Sequence, residues 1–319
     1  MKAIVCPRYG TPDVLEPREV PTPRYGEHDV LVRVRATTVA RDDCSFLSGE
    51  PFAARLYSGL LRPRFSVQGS LFSGEVDAVG AGVTRFAEGD RVFGLSPRDF
   101  GTQAEYLRVP EDAVMARRES GMTHEEAACL LEATTALTLL RDVARVRGGQ
   151  RVLVNGASGS VGCYAVQLAK HLGAEVTGVC GPANTEALYA LGADRVLDYT
   201  RDDFTRGAER YDVVLDAAGR SSFTRCRRVL TRRGAYLSVN PTPGTLLHVL
   251  LTSPGRGRRA RFAATGLMQR PENLVFLDSL FASGGIRAVV DGSHPLERTA
   301  DAYRRVERGG RMGSVVVTV

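Results

Sequence analysis

The chain has 319 residues, 43% of them hydrophobic and 24% charged, with a net charge of +6, the make-up of a globular protein with room for two lobes. No stretch reaches the roughly 18–20 apolar residues of a membrane-spanning helix. The first residues run straight into a strand-like segment rather than a signal peptide, so a cytoplasmic protein with no membrane partner is expected.

A nucleic-acid partner is not expected either, because the only lysines are Lys2 and Lys170 and the arginines are spread along the chain rather than gathered on one face. The first third reads as β-rich. Residues 30–36 alternate apolar and polar side chains, as a half-buried strand does. Pro21, Pro23, Gly26, Gly69, Gly80, Gly82 and Gly89 punctuate short strands, which suggests a small barrel-like or sandwich lobe. The six cysteines (6, 44, 129, 163, 180 and 226) are scattered and read as small buried hydrophobes in a reducing compartment.

The texture changes at Thr123, which caps a helix with Glu126 at its third position. Beyond it, buried strands alternate with helices. Residues 151–155, 175–180, 195–197, 211–216 and 235–239 read as strands, and 161–172 and 184–191 as helices. Repeated βα units imply an α/β fold, a doubly wound parallel sheet with helices on both faces. The pattern weakens from 242 to 270, where Leu246 to Leu251 form an apolar run that suits a lid helix or a subunit contact. Arg256, Arg258, Arg259 and Arg261 follow, read as solvated surface or as a contact for an anionic substrate, carrier protein or partner. Residues 313–319 read as a strand returning to the first lobe. The expected division is 1–122 with 272–319 in one domain and 123–271 in the other.

The strongest local signal is Gly156, Ala157, Ser158, Gly159, Ser160, Val161 and Gly162, set between a strand and a helix. Glycines there allow a sharp turn, a close approach of backbone amides to a pyrophosphate, and tight helix–strand packing. The helix N-terminus adds partial positive charge aimed at the anion. A dinucleotide is therefore expected. The next strand ends at Cys180-Gly181-Pro182-Ala183 with no carboxylate to repel a 2′-phosphate, but no cation to hold one either.

These features, with Ala36-Thr37-Thr38-Val39, Glu88-Gly89-Asp90-Arg91-Val92-Phe93-Gly94, Ala104-Glu105-Tyr106 and Leu191-Gly192-Ala193-Asp194, resemble the medium-chain dehydrogenase/reductase superfamily, in its quinone oxidoreductase (zeta-crystallin-like) branch. The resemblance spans the whole chain. It implies a GroES-like β-rich catalytic lobe, a Rossmann lobe, and a homodimer formed by edge-to-edge pairing near Tyr236 to Val239. Zinc-dependent relatives carry a Cys where this chain has Ala40, and Gly-His-Glu where it has Gly69-Ser70-Leu71; they also insert a four-cysteine lobe near residues 94–103. None of His28, His124, His171, His248 and His294 has a metal-like partner at short spacing. No metal is expected, which favours conjugate reduction over alcohol oxidation.

Departures from the branch are the loss of an amide at Ala40, an acidic residue replaced by Leu71, and Gly181 and Ala183 at positions that hold a 2′-phosphate. Tyr199 matches a tyrosine that helps that contact. On this reading the cofactor is NADPH in preference to NADH. Gly156 to Gly162 hold its pyrophosphate, with Gly181, Tyr199, Ala218 and Gly219 on the adenosine side. Val239 and Asn240 lie by the nicotinamide, and Thr135 by its carboxamide. Hydride goes to an enone, enoyl or quinone small-molecule substrate. Tyr57 and Asp43 are the candidate proton donors, each reading more readily as a packed or salt-bridged residue. The alternatives are a trans-acting enoyl reductase on a carrier-bound intermediate, and a non-catalytic NADPH-binding regulator.

Overall fold

A computed structural model describes every residue except 53–54, 97–99, 241 and 254–256. The chain divides into two compact units, Met1–Leu131 with Arg270–Val319, and Glu132–Gln269.

The first unit contains β1 (Lys2–Val5), β2 (Glu16–Glu19), β3 (Asp29–Val39), α1 (Arg41–Ser48), α2 (Arg55–Ser58), β4 (Leu71–Val79), β5 (Arg91–Leu95), β6 (Tyr106–Pro110), β7 (Met115–Arg117) and α3 (His124–Leu130). In β3, Val30, Val32 and Val34 alternate to one face and meet Phe72, Val76, Val92, Leu107 and Met115 in a buried cluster. Each such side chain contributes about 1.5–3 kcal/mol on full burial. β3 is longer than its alternating stretch because its end is covered on both sides: Thr37, Thr38 and Val39 are all buried. The expected cap is present, with the Glu126 amide donating to Thr123 Oγ1 at 3.2 Å and the Thr123 amide to Glu126 Oε2 at 2.8 Å.

The second unit runs α4 (Ala133–Leu137), β8 (Arg151–Asn155), α5 (Ser160–His171), β9 (Glu175–Cys180), α6 (Thr185–Ala190), β10 (Arg195–Asp198), β11 (Tyr211–Asp216), α7 (Phe223–Cys226), β12 (Leu230–Ser238), α8 (Pro243–Thr252) and β13 (Arg259–Arg261). Its six strands are all parallel, in the order β10-β9-β8-β11-β12-β13. That is the doubly wound order 3-2-1-4-5-6, whose direction reverses between β8 and β11. The chain then returns to the first unit through α9 (Pro271–Ala282), β14 (Val290–Pro295), α10 (Thr299–Arg308) and β15 (Ser314–Thr318). β15 pairs antiparallel with β3, Val315 opposite Val39, so the last strand does rejoin the first lobe.

Two expectations need correction. The weakly patterned 242–270 segment holds, besides the helix α8 that its apolar run allowed, a sixth strand, β13, that was not expected. Because β13 pairs with Ala235, Tyr236 and Leu237, these residues are not a free sheet edge and cannot form an edge-to-edge dimer contact.

Candidate functional site

The loops that leave the C-terminal ends of β8, β11 and β12 build the site, at the point where the strand order reverses and ligands of such sheets sit. The turn after β8 is tied down by backbone bonds, with the Gly156 and Ala157 amides donating to the Val179 carbonyl at 3.1 and 3.0 Å. Gly156 has φ +78°, and a Cβ on it would lie 2.8 Å from that of Ala218. A Cβ on Gly162 would overlap the Gly156 carbonyl oxygen, so this glycine is required by the fold itself.

Gly159 differs. It is the N-cap of α5, and a Cβ there would meet only the Gly156 carbonyl oxygen, at 3.4 Å. The fold leaves that space open. No side chain caps the first turn of α5, and Lys170 and His171 stand in its last turn, so the helix dipole presents its positive end to the open side. Backbone amides at an uncapped helix start, beside a space where a Cβ would intrude, fit a pyrophosphate.

Gly219, with φ +64°, and Asn240 are neighbours; a Cβ on the glycine would lie 3.5 Å from Asn240 Cβ. Val239 donates its amide to the Asp216 carbonyl at 3.3 Å. The expected residues Gly156 to Gly162, Ala218, Gly219, Val239 and Asn240 therefore cluster on the ends of three adjacent strands. Gly181 and Tyr199 meet at the ends of β9 and β10, where a Cβ on Gly181 would lie 3.3 Å from the Tyr199 hydroxyl. Thr135 is half-buried on α4, which packs against α5.

A polar hub beneath these loops escaped the sequence reading. Asp216, fully buried at the end of β11, accepts from Asn155 Nδ2 at 2.8 Å, the Tyr236 hydroxyl at 3.0 Å and the Ser221 amide at 2.8 Å. It links the ends of β8, β11 and β12 and fixes where the glycine turn and the 217–221 loop begin. Burial, and then the adjacent Asp216 charge, hold the Tyr236 phenol far above its usual pKa, so it stays a donor. The available signal was a polar residue closing the apolar run of each of two strands, Asn155 after Val152 to Val154 and Asp216 after Val213 to Leu215.

In the first unit, Asp43 is buried, and its carboxylate accepts from the Ala40 amide at 2.7 Å as part of the cap of α1. Tyr57, half-exposed, sits among Phe46, Phe65 and Phe100 with ring centroids 6.0–6.2 Å away, and Phe65 and Phe100 stack at 4.9 Å. Ala40, Ser70 and Leu71 offer no imidazole, thiolate or carboxylate, and among the described residues no group of three His, Cys, Asp or Glu side chains gathers as a metal site would. Residues 97–99, where part of the four-cysteine insertion was judged missing, lie outside the described residues, as does Arg256. Separately, His124 is held near pKa 4 by burial and then by Arg118, with its Nδ1 3.0 Å from the Ser73 hydroxyl.

A doubly wound sheet with a pyrophosphate-shaped turn, joined in one chain to a β-rich lobe, defines a dinucleotide-linked oxidoreductase. Residues 26–119 match the family described as alcohol dehydrogenase GroES-like domain, and 191–317 the family described as zinc-binding dehydrogenase. The chain is 31% identical to the chloroplast envelope quinone oxidoreductase homolog of Arabidopsis thaliana, over 95% of this chain and 93% of that one. It is 34% identical, over 92% of its length, to 8% of the far longer pikromycin polyketide synthase component PikAII of Streptomyces venezuelae. The solved quinone oxidoreductase of Escherichia coli, complexed with NADPH, matches with a TM-score of 0.85 at 26% identity, covering 100% of both chains. The chain belongs to the medium-chain dehydrogenase/reductase superfamily, in its quinone oxidoreductase (zeta-crystallin-like) branch, and is an oxidoreductase.

Proposed function

We propose that the protein is an NADPH-preferring reductase that passes a hydride to a conjugated carbonyl compound, an enone, enoyl or quinone, without zinc. The observation that carries this reading is the end of β9. There Gly181 faces the Tyr199 hydroxyl and no carboxylate follows Cys180, which leaves room for a 2′-phosphate. Asp198, the acid beside Tyr199, directs Oδ1 to the Thr200 amide and hydroxyl at 2.9 and 2.8 Å. The NADPH complex of the similar Escherichia coli enzyme supports the same cofactor.

Bound NADPH would supply the hydride. The chain's own part is to hold it: the amides at the start of α5 take the pyrophosphate, Tyr199 the 2′-phosphate, and the loop ends anchored on Asp216 fix the rest. Positioning of this kind supplies much of the rate in a two-reactant hydride transfer. The donors present around Ala40, Ser70 and Leu71 do not fit a tetrahedral zinc site despite the family's name, so the proposed reaction runs on the cofactor alone. The candidate proton donors are Tyr57, Asp43, whose Oδ2 accepts from the Ala40 amide at 2.7 Å, and water.

The similarity to a polyketide synthase component favours a second reading, an enoyl reductase acting in trans on a carrier-bound acyl chain. NADPH consumption with free quinones and enones separates the two. Turnover of free substrates supports the first; turnover only of carrier-bound enoyl groups supports the second. We also propose a homodimer, to be tested by mass in solution.

A further inference from the structure

A phosphate monoester carries a charge of about −1.5 to −2 near pH 7, and one phenol hydroxyl, that of Tyr199, does not balance it. Gly181 and Ala183 at the end of β9 supply no cation. The segments that leave β9 and β10 on this side of the sheet, 181–187 and 199–203, contain a single Lys or Arg, and it is Arg201.

Arg201 stands in the turn that positions Tyr199. The Tyr199 amide donates to the Cys180 carbonyl at 3.1 Å, and the Arg201 and Asp202 amides donate to the Asp198 carbonyl at 3.0 and 2.8 Å. Asp198 Oδ1 accepts from the Thr200 amide and hydroxyl, so the backbone is held throughout the turn. Asp198 is also the register partner of Cys180, the residue before Gly181. Burial first, and more weakly the Asp198 carboxylate, push the Cys180 thiol's pKa up, which sets that carboxylate beside the end of β9. The Arg201 guanidinium lies at the same place, with its Nε 3.9 Å from Asp198 Oδ2.

That contact is loose. The Arg201 side chain is 85% exposed, and among the described residues it makes no hydrogen bond, only this long ion pair. An exposed pair of this kind is weak. Neighbouring cations are better engaged: Lys170 Nζ donates to both Asp194 oxygens at 2.8 Å, and Arg195 pairs with Glu209 at the far end of β10.

We propose that Arg201 is the cation of the 2′-phosphate subsite, leaving Asp198 Oδ2 to pair with the phosphate across from the Tyr199 hydroxyl. The inference rests on the NADPH-preferring reading and names the residue behind the preference. A phosphate dianion attracts a guanidinium more strongly than one carboxylate oxygen at 3.9 Å does, and it accepts two parallel hydrogen bonds from the guanidinium fork. The long exposed stem lets the guanidinium turn while the backbone stays fixed. The cation then comes from the turn after β10, not from the loop after β9.

Dissociation constants for NADPH and NADH in wild type, Arg201→Gln and Arg201→Lys test this. The preference for NADPH should fall at least about tenfold in Arg201→Gln, through weaker NADPH binding, and Arg201→Lys should lose less. Raising the salt concentration should erode the preference more steeply in wild type than in Arg201→Gln. An Arg201→Gln variant that keeps the wild-type preference for NADPH would overturn this assignment and leave the NADPH reading standing. Equal weakening of both nucleotides would also overturn it, since it would make the side chain's role structural. Wild type that binds NADH as tightly as NADPH would overturn the NADPH reading, and this inference with it.

Discussion

At the ends of β8, β11 and β12, the buried polar side chains bond to one another, and what they leave for a ligand is backbone: the amides at the start of α5 and the glycine turn above Asp216. In the first unit the candidate side chains are of another kind. The Asp43 carboxylate accepts from the Ala40 amide in the cap of α1, and Tyr57 belongs to an aromatic group with Phe46, Phe65 and Phe100. A site built from backbone geometry admits few sequences and constrains its ligand closely. An aromatic group held by side-chain packing tolerates many sequences, and so its sequence signal is weaker.

Substitutions that probe the backbone-built site should have the largest effects. Gly162→Ala sets a Cβ against the Gly156 carbonyl oxygen, two backbone groups that cannot both yield. It should cost about 1–3 kcal/mol or more of stability and remove cofactor binding together, seen in chemical unfolding and NADPH titration. Gly159→Val separates the two effects. With only a 3.4 Å neighbour, its fold should survive with an unchanged melting temperature while NADPH binding is lost. Binding as tight as wild type would remove the pyrophosphate from this turn.

In the first unit the buried titratable group matters for stability. His124 is held near pKa 4 against an unfolded value of about 6.5, so the unfolded chain takes up the proton first as the pH falls. The stability it contributes is full above about pH 6.5 and declines down to about pH 4, by roughly 3 kcal/mol. Denaturant unfolding across that range should show a smaller loss for His124→Gln. An equal loss would assign the pH dependence to the carboxylates alone.

The smallest effect belongs to cofactor choice. Tyr199→Phe should remove at least about tenfold of the preference for NADPH over NADH, since one hydrogen bond to a charged group is worth about 1.5–3 kcal/mol and about 1.4 kcal/mol is tenfold. Ala183→Lys should increase it. Dissociation constants for both nucleotides across the three proteins measure this, and tighter NADH binding by wild type would reverse the assignment.

Much of the nucleotide lobe was legible in the sequence because its signals are local: glycines that only one backbone path allows, and apolar runs of strand length between helices. Gly156 and Gly162 stand in the tight turn between β8 and α5 that the glycine spacing implied. β13 was missed because three residues, Arg259, Ala260 and Arg261, have no apolar run; they become a strand only through pairing with Ala235 to Leu237. The Asp216 hub joins residues about 60 and 20 positions away, which no local pattern reveals. The bond from the Ala40 amide to Asp43 was not legible either, because a backbone amide is a group the residue sequence does not single out.

The central claim, a metal-independent NADPH reductase of conjugated carbonyls, is tested most directly by following NADPH oxidation with a panel of quinones and enones, using protein treated with a chelator and assayed for zinc. The account predicts turnover of at least one such acceptor by zinc-free protein, at an unchanged rate when zinc is added. Alcohol oxidation that appears only with stoichiometric zinc, and no oxidation of NADPH by any conjugated acceptor, would contradict it.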